Sequence, residues 1–410
     1  LGKYPVGQPV LMAAAESLGA RGLLNPLFGA LSAAMVYYLG RRVYGERTGR
    51  YASLLAASSF FLLLHSSAFT GHAPTMFFML AFQLFFLKSL EGECLLNPLV
   101  AGLALGFGMI IRPYTALAFL LPYAVYFVFT KAGGRGYLPL KAAMAKAAVF
   151  VIAVSLFAAV FAAHNKAITG SFLTPGHLYF DPNDRPWFGT DYHTHDDYFT
   201  PVRAVANAWR YLVGLLDYPL EGGRVVMLLA LFAFLLRRRL SGFDLLFTAT
   251  ACSLLVFYSL YHHQEFVYGP RYLLEVVPLL LLLVVRAFEG FNDERLQKIL
   301  VIAALCSMLL YIPGSVGRYN TAYQVNGRYS RMFEALESGL EENTIVFVDT
   351  SVYPSVISRN NWDFGNDKVV YARYASPAEN LEFASRYFSQ YDCRTFTIAE
   401  MDGMLEDCRK

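Results

Sequence analysis

Residues 144–163 read MAKAAVFVIAVSLFAAVFAA, twenty residues in which Lys146 is the one charge. As a helix such a segment is long enough to cross the roughly 30 Å hydrocarbon core of a bilayer. It also lacks the hydrophilic face of a helix that covers a soluble core. The run is one of a series. Similar stretches occupy 23–40, 51–70, 74–90, 97–111, 113–130, 220–236, 245–261, 272–289 and 297–313, so the sequence predicts about ten transmembrane helices. The weakest are 97–111, which is short and meets Arg112-Pro113 at once, and 220–236, whose start is crowded by Glu221 and Arg224. Composition agrees. Of 410 residues 56% are hydrophobic and 16% charged, against about 25% charged in a typical soluble domain. That balance excludes an ordinary cytosolic enzyme, a disordered chain and a nucleic-acid binder of the basic-patch type.

Lysine and arginine sort the connections into two sets, and the richer set marks the cytoplasmic side. One set holds fifteen: Arg41, Arg42, Arg47 and Arg50, Lys88, the run Lys131 to Lys146, Arg237 to Arg239, then Arg286, Arg295 and Lys298. The alternate connections before the C-terminal region hold eight. The alternation predicts that residues 1–22, the loop 164–219, the turn 262–271 and the region 314–410 lie outside the cytoplasm. The expected fold is thus an all-α polytopic membrane bundle over 1–313, with an outer loop at 164–219, followed by a small extracytoplasmic α/β module over 314–410. In that module Tyr329–Leu340 and Ala378–Tyr391 have helical spacing, while Thr344–Asp349, Lys368–Ala372 and Arg394–Ile398 read as strands. Five cysteines include no CxxC pair, which argues against a cysteine zinc site.

The polar chemistry gathers on the outer set. Lys3-Tyr4-Pro5-Val6-Gly7 forms a rigid turn before an apolar stretch too short to span; its lysine suits a lipid phosphate or simply snorkels. His72 sits in the tight turn Thr70 to Pro74, as a substrate contact or a helix cap. Arg112, in the turn Arg112-Pro113-Tyr114, is a cation between apolar spans and costly unless paired or used. The long loop carries Tyr179, Asp181, Asp184 and Arg185, then Trp187-Phe188-Gly189, with aromatics beside carboxylates as in sugar sites. His193, His195, Asp196 and Asp197 could hold a divalent metal, although a solvated loop fits as well. The last outer turn runs from His262 and His263 through Tyr268 to Arg271, and leads into a span bearing Glu275. Arg271 is either the i,i+4 partner of Glu275 or a ligand for phosphate.

Taken together, the Y-P-x-G turn, Arg41-Arg42-Val43-Tyr44-Gly45-Glu46 after the first complete helix, Tyr179–Gly189 and Tyr268–Tyr272 with Glu275 resemble the GT-C polytopic glycosyltransferases. The likeness is to prokaryotic relatives of protein O-mannosyltransferases and aminoarabinose transferases, over roughly residues 3–313. The resemblance implies a multi-pass protein of the plasma (inner) membrane that moves a hexosyl or pentosyl group from a polyprenyl-phosphate donor to a glycan, lipid or protein acceptor on the outer face. It implies that Lys3 and Tyr4 sit near the carrier phosphate and that Arg112 or Arg271 helps hold it. His72, Tyr179, Arg185, His263 and Tyr268 complete the expected substrate-binding set, with membrane lipids as further partners and, as to cofactors, none certain but a possible divalent metal. The family's catalytic acidic residue lies in the first outer loop, upstream of the Y-P-x-G turn, so the resemblance also implies an N-terminal truncation that removes the main base. Asp181, Asp184 or Glu275 would then take the role. A transporter or lipid flippase is the alternative; its ionisable groups would sit near the midplane rather than at the outer ends of spans.

Overall fold

The computed structural model describes residues 4–92, 94–132, 139–180, 184–190, 198–221, 223–235, 240–262, 269–291, 294–348 and 368–396. They form two compact units, divided between Ser315 and Val316. The first contains α1 (Gly7–Ser17), α2 (Arg21–Tyr44), α3 (Glu46–Ser58), α4 (Phe60–Ser67), α5 (His72–Ser89), α6 (Leu96–Ile111), α7 (Pro113–Ala132), α8 (Leu140–Thr169) and α9 (Gly176–Phe180). A short antiparallel pair, β1 (Gly189–Thr190) and β2 (Tyr198–Phe199), precedes α10 (Pro201–Asp217), α11 (Arg224–Leu235) and α12 (Gly242–Ser259). A 3-10 turn, Arg271–Val276, opens α13 (Val277–Phe288), and α14 (Glu294–Ser338) carries the chain into the second unit.

Four of these helices are by length and composition able to cross a membrane: Arg21–Tyr44, Leu140–Thr169, Gly242–Ser259 and Glu294–Gly317. A fifth crossing results if α4 and α5, bent by 115°, count as one. The sequence predicts about ten; among the described residues Leu96–Ile111, Pro113–Phe129 and Arg224–Phe234 are apolar but shorter, and some predicted runs are broken. Residues 51–70 do not form one helix. Ser59 takes an extended conformation, its side chain accepting from the Leu62 N–H and donating to the Pro219 carbonyl. Similarly, 272–289 opens as a 3-10 turn and 97–111 makes a helix of 16 residues, about 24 Å long at 1.5 Å per residue.

Packing in this unit depends on small residues, as it must where apolar helices meet without a hydrophobic drive to separate them from lipid. α6 crosses α8 at Gly102 and Gly106; a Cβ there would lie 2.6 Å from the Phe150 carbonyl oxygen and 2.6 Å from the Phe157 ring, respectively. α2 meets α3 the same way, with a Cβ on Gly49 falling 2.6 Å from the Tyr37 carbonyl oxygen. The core beneath is built from Phe61, Phe82, Phe119, Tyr123, Phe247 and Phe288 among many buried aliphatics.

The connections that the lysine and arginine count separates also contact one another in two groups. One group joins Arg47 to Glu294 at 2.6 Å, Arg42 to Glu91 at 2.6 Å and Arg286 to Glu289 at 2.8 Å, with the Lys146 ammonium donating to the Ser89 carbonyl at 2.5 Å. The other group joins the starts of α1 and α5, the α6–α7 turn, the end of α12 and the 3-10 turn.

The second unit holds a three-stranded parallel sheet of order β4-β3-β5, comprising β3 (Thr344–Val348), β4 (Val369–Arg373) and β5 (Asp392–Phe396). α15 (Pro377–Tyr387) covers one face through Ala384 against Ile345, Phe347 and Val370. It ends four residues before the predicted Tyr391, because Phe388 and Tyr391 turn back onto that cluster instead of continuing the helix.

The glycine crossing yields a direct expectation. Gly102→Leu forces a side chain into the Phe150 backbone and should lower unfolding stability in detergent by about 1–3 kcal/mol, the usual cost of overpacking. Gly22→Ala, whose Cβ meets nothing within 4 Å, should leave the melting temperature unchanged or slightly raised. Equal behaviour of the two variants in a thermal melt would contradict the close crossing.

Candidate functional site

Proline sets the geometry of the second group of connections. Pro113 disfavours the helical conformation for the residue before it, and Arg112 accordingly sits at φ −139°, ψ 84° between α6 and α7. Pro278 has no N–H, so the Leu274 carbonyl accepts from Val277 instead, an i→i−3 bond, and Arg271–Val276 winds as a 3-10 turn. At the chain start Gly7 lies on the end of α6, where a Cβ would be 2.6 Å from the Ile111 side chain. Gly71 packs on the same isoleucine from the turn before α5. Asn25, buried in α2, donates to the carbonyls of Ala68 and Thr70 and fixes the approach to His72.

These turns deliver one polar cluster. Glu275 is fully buried; its Oε1 lies 3.2 Å from His72 Nδ1 and 3.6 Å from Arg112 Nε. Arg112 Nη1 is 3.0 Å from His72 Nδ1 and 2.8 Å from Nε2. One atom that close to both ring nitrogens cannot lie in the ring plane, so the guanidinium rests on the imidazole face. Arg112 Nη2 donates to the Tyr258 hydroxyl at 2.8 Å, and Thr115 Oγ1 shares that hydroxyl at 2.8 Å. Tyr258 stacks on Tyr272 with centroids 5.0 Å apart and planes 4° from parallel, and Arg112 lies 5.6 Å and 5.3 Å from the two ring centroids. The ring of His65 stands 5.7 Å from that of His72.

Of the two sequence readings of Arg271, as partner of Glu275 or as ligand for phosphate, the geometry does not show the first. An i,i+4 bond between Arg271 and Glu275 presumes an α-helix. In a 3-10 turn of three residues per turn, positions four apart point about 120° away from each other. The ionic partner of Glu275 among the described residues is Arg112, and Arg271 instead lies over Tyr272 at 5.5 Å. Burial lowers the Arg271 pKa and the nearby Arg112 lowers it further, while the Tyr272 and Tyr4 phenols raise it; a guanidinium so far above neutrality stays charged throughout. Arg271, Arg112, Tyr4 and Tyr272 are therefore within electrostatic reach of one another.

Asp184 is buried and accepts from the Tyr261 hydroxyl. Tyr261 meets Tyr272 edge-on at 6.2 Å, which ties the long loop to the cluster. The loop is also held where Trp187 N–H donates to the Leu260 carbonyl at 2.8 Å. Tyr179 and Arg185 are exposed, and no contact among the described residues joins them to the cluster. Lys3, Asp181, His263 and Tyr268 lie outside the described residues, as do His193, His195, Asp196 and Asp197. Among the described residues no group of three or more His, Cys, Asp or Glu side chains could hold a metal ion. Sequence reasoning missed Tyr258, Thr115 and Tyr261. Their signal was a pair of tyrosines three apart at the end of a span, which reads equally as an interfacial aromatic belt.

Comparison with known proteins follows the same lines. Residues 17–162 match the model of the dolichyl-phosphate-mannose-protein mannosyltransferase family, and residues 218–362 that of the Alg9-like mannosyltransferase family. A search of curated protein sequences finds no match. Among solved structures the fold is similar to ArnT from Cupriavidus metallidurans, both bound to undecaprenyl phosphate and in the apo state. Each has a TM-score of 0.59 at 13% identity and covers 96% of this chain and 79% of ArnT. An oligosaccharyltransferase from Archaeoglobus fulgidus in the apo form aligns at 16% identity with a TM-score of 0.48, over 78% of this chain and 48% of its own. The chain is thus similar to the GT-C polytopic membrane glycosyltransferases, and the likeness to ArnT is one of fold.

The buried pair should behave as a unit. Arg112→Met or Glu275→Gln alone strands a partner in an apolar setting, a loss of about 3–5 kcal/mol. The double variant should lose clearly less than the two single losses added, as unfolding in detergent would show. Additive losses would mean that the two groups do not stabilise each other.

Proposed function

We propose that this chain transfers a sugar from a polyprenyl-phosphate-linked donor to an acceptor on the extracytoplasmic face of the plasma membrane. The reading rests on one observation above all: two arginines, one buried carboxylate and a tyrosine stack meet at one end of an apolar bundle. Around the tyrosine stack the two arginines face the one carboxylate of Glu275, which suits a phosphate attached to a lipid whose tail stays in the bilayer. The two mannosyltransferase family matches support glycosyl transfer, and the undecaprenyl phosphate bound by ArnT supports the carrier class. The orientation rests on the lysine and arginine asymmetry.

In this reaction the bond from the anomeric carbon to the phosphate oxygen breaks and the phosphate gains charge as the acceptor hydroxyl attacks. Positive groups fixed in place before the reaction lower the barrier, because they need no reorganisation when the charge develops. Arg271 presents the planar donor fork that phosphate oxygens match, together with the Tyr4 phenol. Arg112 spends its donors on Tyr258 and Thr115, and its charge faces Glu275. Its contribution is to hold the Tyr258–Tyr272 stack beside the phosphate and to add positive field. The hydroxyl proton needs a carboxylate as acceptor, for which this chain offers Asp181, Asp184 and Glu275. The transferred group is a hexose or pentose, and the acceptor is a glycan, a lipid or a protein.

Purified protein in detergent with radiolabelled polyprenyl-phosphate sugars tests the reading. Wild type should bind the donor, and Arg271→Ala should weaken binding about 10- to 100-fold, the worth of a charge-assisted hydrogen bond near 1.5–3 kcal/mol, with the melting temperature unchanged. Absence of donor binding by wild type, together with movement of a solute across vesicles that contain it, would replace the transferase by a transporter.

A further inference from the structure

Helix α10 (Pro201–Asp217) is built the wrong way round for a helix over a protein core. Its buried face consists of Ala204, Asn207, Tyr211, Gly214 and Leu215. Its most apolar face points outward: Val202, Val205, Trp209 and Leu212, at i, i+3, i+7 and i+10, are 78%, 70%, 68% and 44% exposed. At 100° per residue these four fall within about 80° of the helix circumference. Arg203, Arg210 and Asp217, seven residues apart in turn, run along one flank of that stripe. The helix has 17 residues with polar groups throughout and is not among those able to span.

We propose that α10 lies flat in the membrane interface, with Val202, Val205, Trp209 and Leu212 inserted among the lipids and Arg203 and Arg210 on the headgroup side. The composition fits this partner: an apolar stripe, an indole at the boundary and arginines on the polar flank are the makings of an interfacial helix buried about 5–10 Å deep. Continuity with the lipid-facing surface supports it further. Trp209 and Leu212 border an apolar cavity of about 430 Å³ shared with Met227 and Phe234 of α11 and Leu255 of α12. Nearby Val225, Leu228, Phe232 and Val256 are exposed on α11 and α12.

The inner face of the helix gives the placement a consequence. Asn207 Nδ2 donates to the Tyr261 carbonyl at 3.4 Å, and Gly214 lies against Pro270, a Cβ there falling 3.0 Å from its ring. Tyr211 is buried within electrostatic reach of Tyr272, Tyr258, Arg112 and Arg271. The turn that carries Arg271 therefore rests on a helix whose depth is set by lipid. This inference depends on the membrane-spanning character of the bundle and not on sugar transfer.

The chain has three tryptophans, Trp187, Trp209 and Trp362. Full-length protein bearing Trp187→Phe and Trp362→Phe, reconstituted in phosphatidylcholine–phosphatidylglycerol vesicles, leaves Trp209 as the fluorescent reporter. Lipids brominated near the headgroup should quench it more strongly than lipids brominated near the chain end. Should the double variant not fold, the same comparison between wild type and Trp209→Phe isolates the Trp209 share of the quenching. Stronger quenching from the chain end would place α10 in the hydrocarbon core, and no quenching by either lipid would mean that water or another protein covers the stripe; both results overturn the proposal. A failure to bind polyprenyl-phosphate sugars would leave this measurement unaffected.

Discussion

The contact between the Arg112 guanidinium and the Glu275 carboxylate is the constraint around which the polar end of the bundle is arranged. Removing two opposite charges from water costs several kcal/mol per ion, and the attraction repays it only with good geometry and further hydrogen bonds. The guanidinium has them, with Thr115 and Tyr258; the carboxylate has His72 at Oε1, while its Oε2 is buried with no hydrogen-bond partner among the described residues. Because the participants come from α5, the α6–α7 turn, α7, α12 and the 3-10 turn, the complete cluster can form only when all of them are in place. Chain positions 72, 112, 258 and 275 are thereby brought to one point. A polar cluster within an apolar bundle acts here as a registration mark, since any slip of one helix would leave a charge stranded.

Much of the arrangement was legible in the sequence because the bilayer imposes so strong a pattern. The apolar runs and the gathering of histidine, arginine and glutamate at the ends of those runs follow from the cost of polarity in hydrocarbon. His72, Arg112, Arg271 and Glu275 were each identifiable as out-of-place polar residues near span ends. Which one pairs with which was not, since partner choice depends on helix pitch. Arg271 and Glu275 would share a face in an α-helix and do not in the 3-10 turn that the structure shows there. Hydropathy is blind to such breaks. It reads 51–70 as one run, although a single serine ends one helix and starts another there.

The small α/β unit was legible for a different reason. Its central strand β3 is a short run of Val, Ile and Phe between turn residues, and burial on both faces of β3 is what a central parallel strand requires. The register of its three strands and their order β4-β3-β5 depend on crossover connections that no local pattern encodes. Within the long loop the sequence pointed to aromatics and carboxylates as a sugar surface. The structure adds that Asp184 is buried against Tyr261, so one of those carboxylates helps to fasten the loop.

The 3-10 turn also fixes a length. Each of its residues advances about 2.0 Å instead of 1.5 Å, so the six from Arg271 to Val276 reach about 3 Å farther than an α-helix of the same count. Pro278 removes the donor that an α-helical bond back to Leu274 would need, so the tighter winding has no helical alternative at that point. Arg271 is consequently carried farther from the start of α13 than six residues of α-helix would carry it.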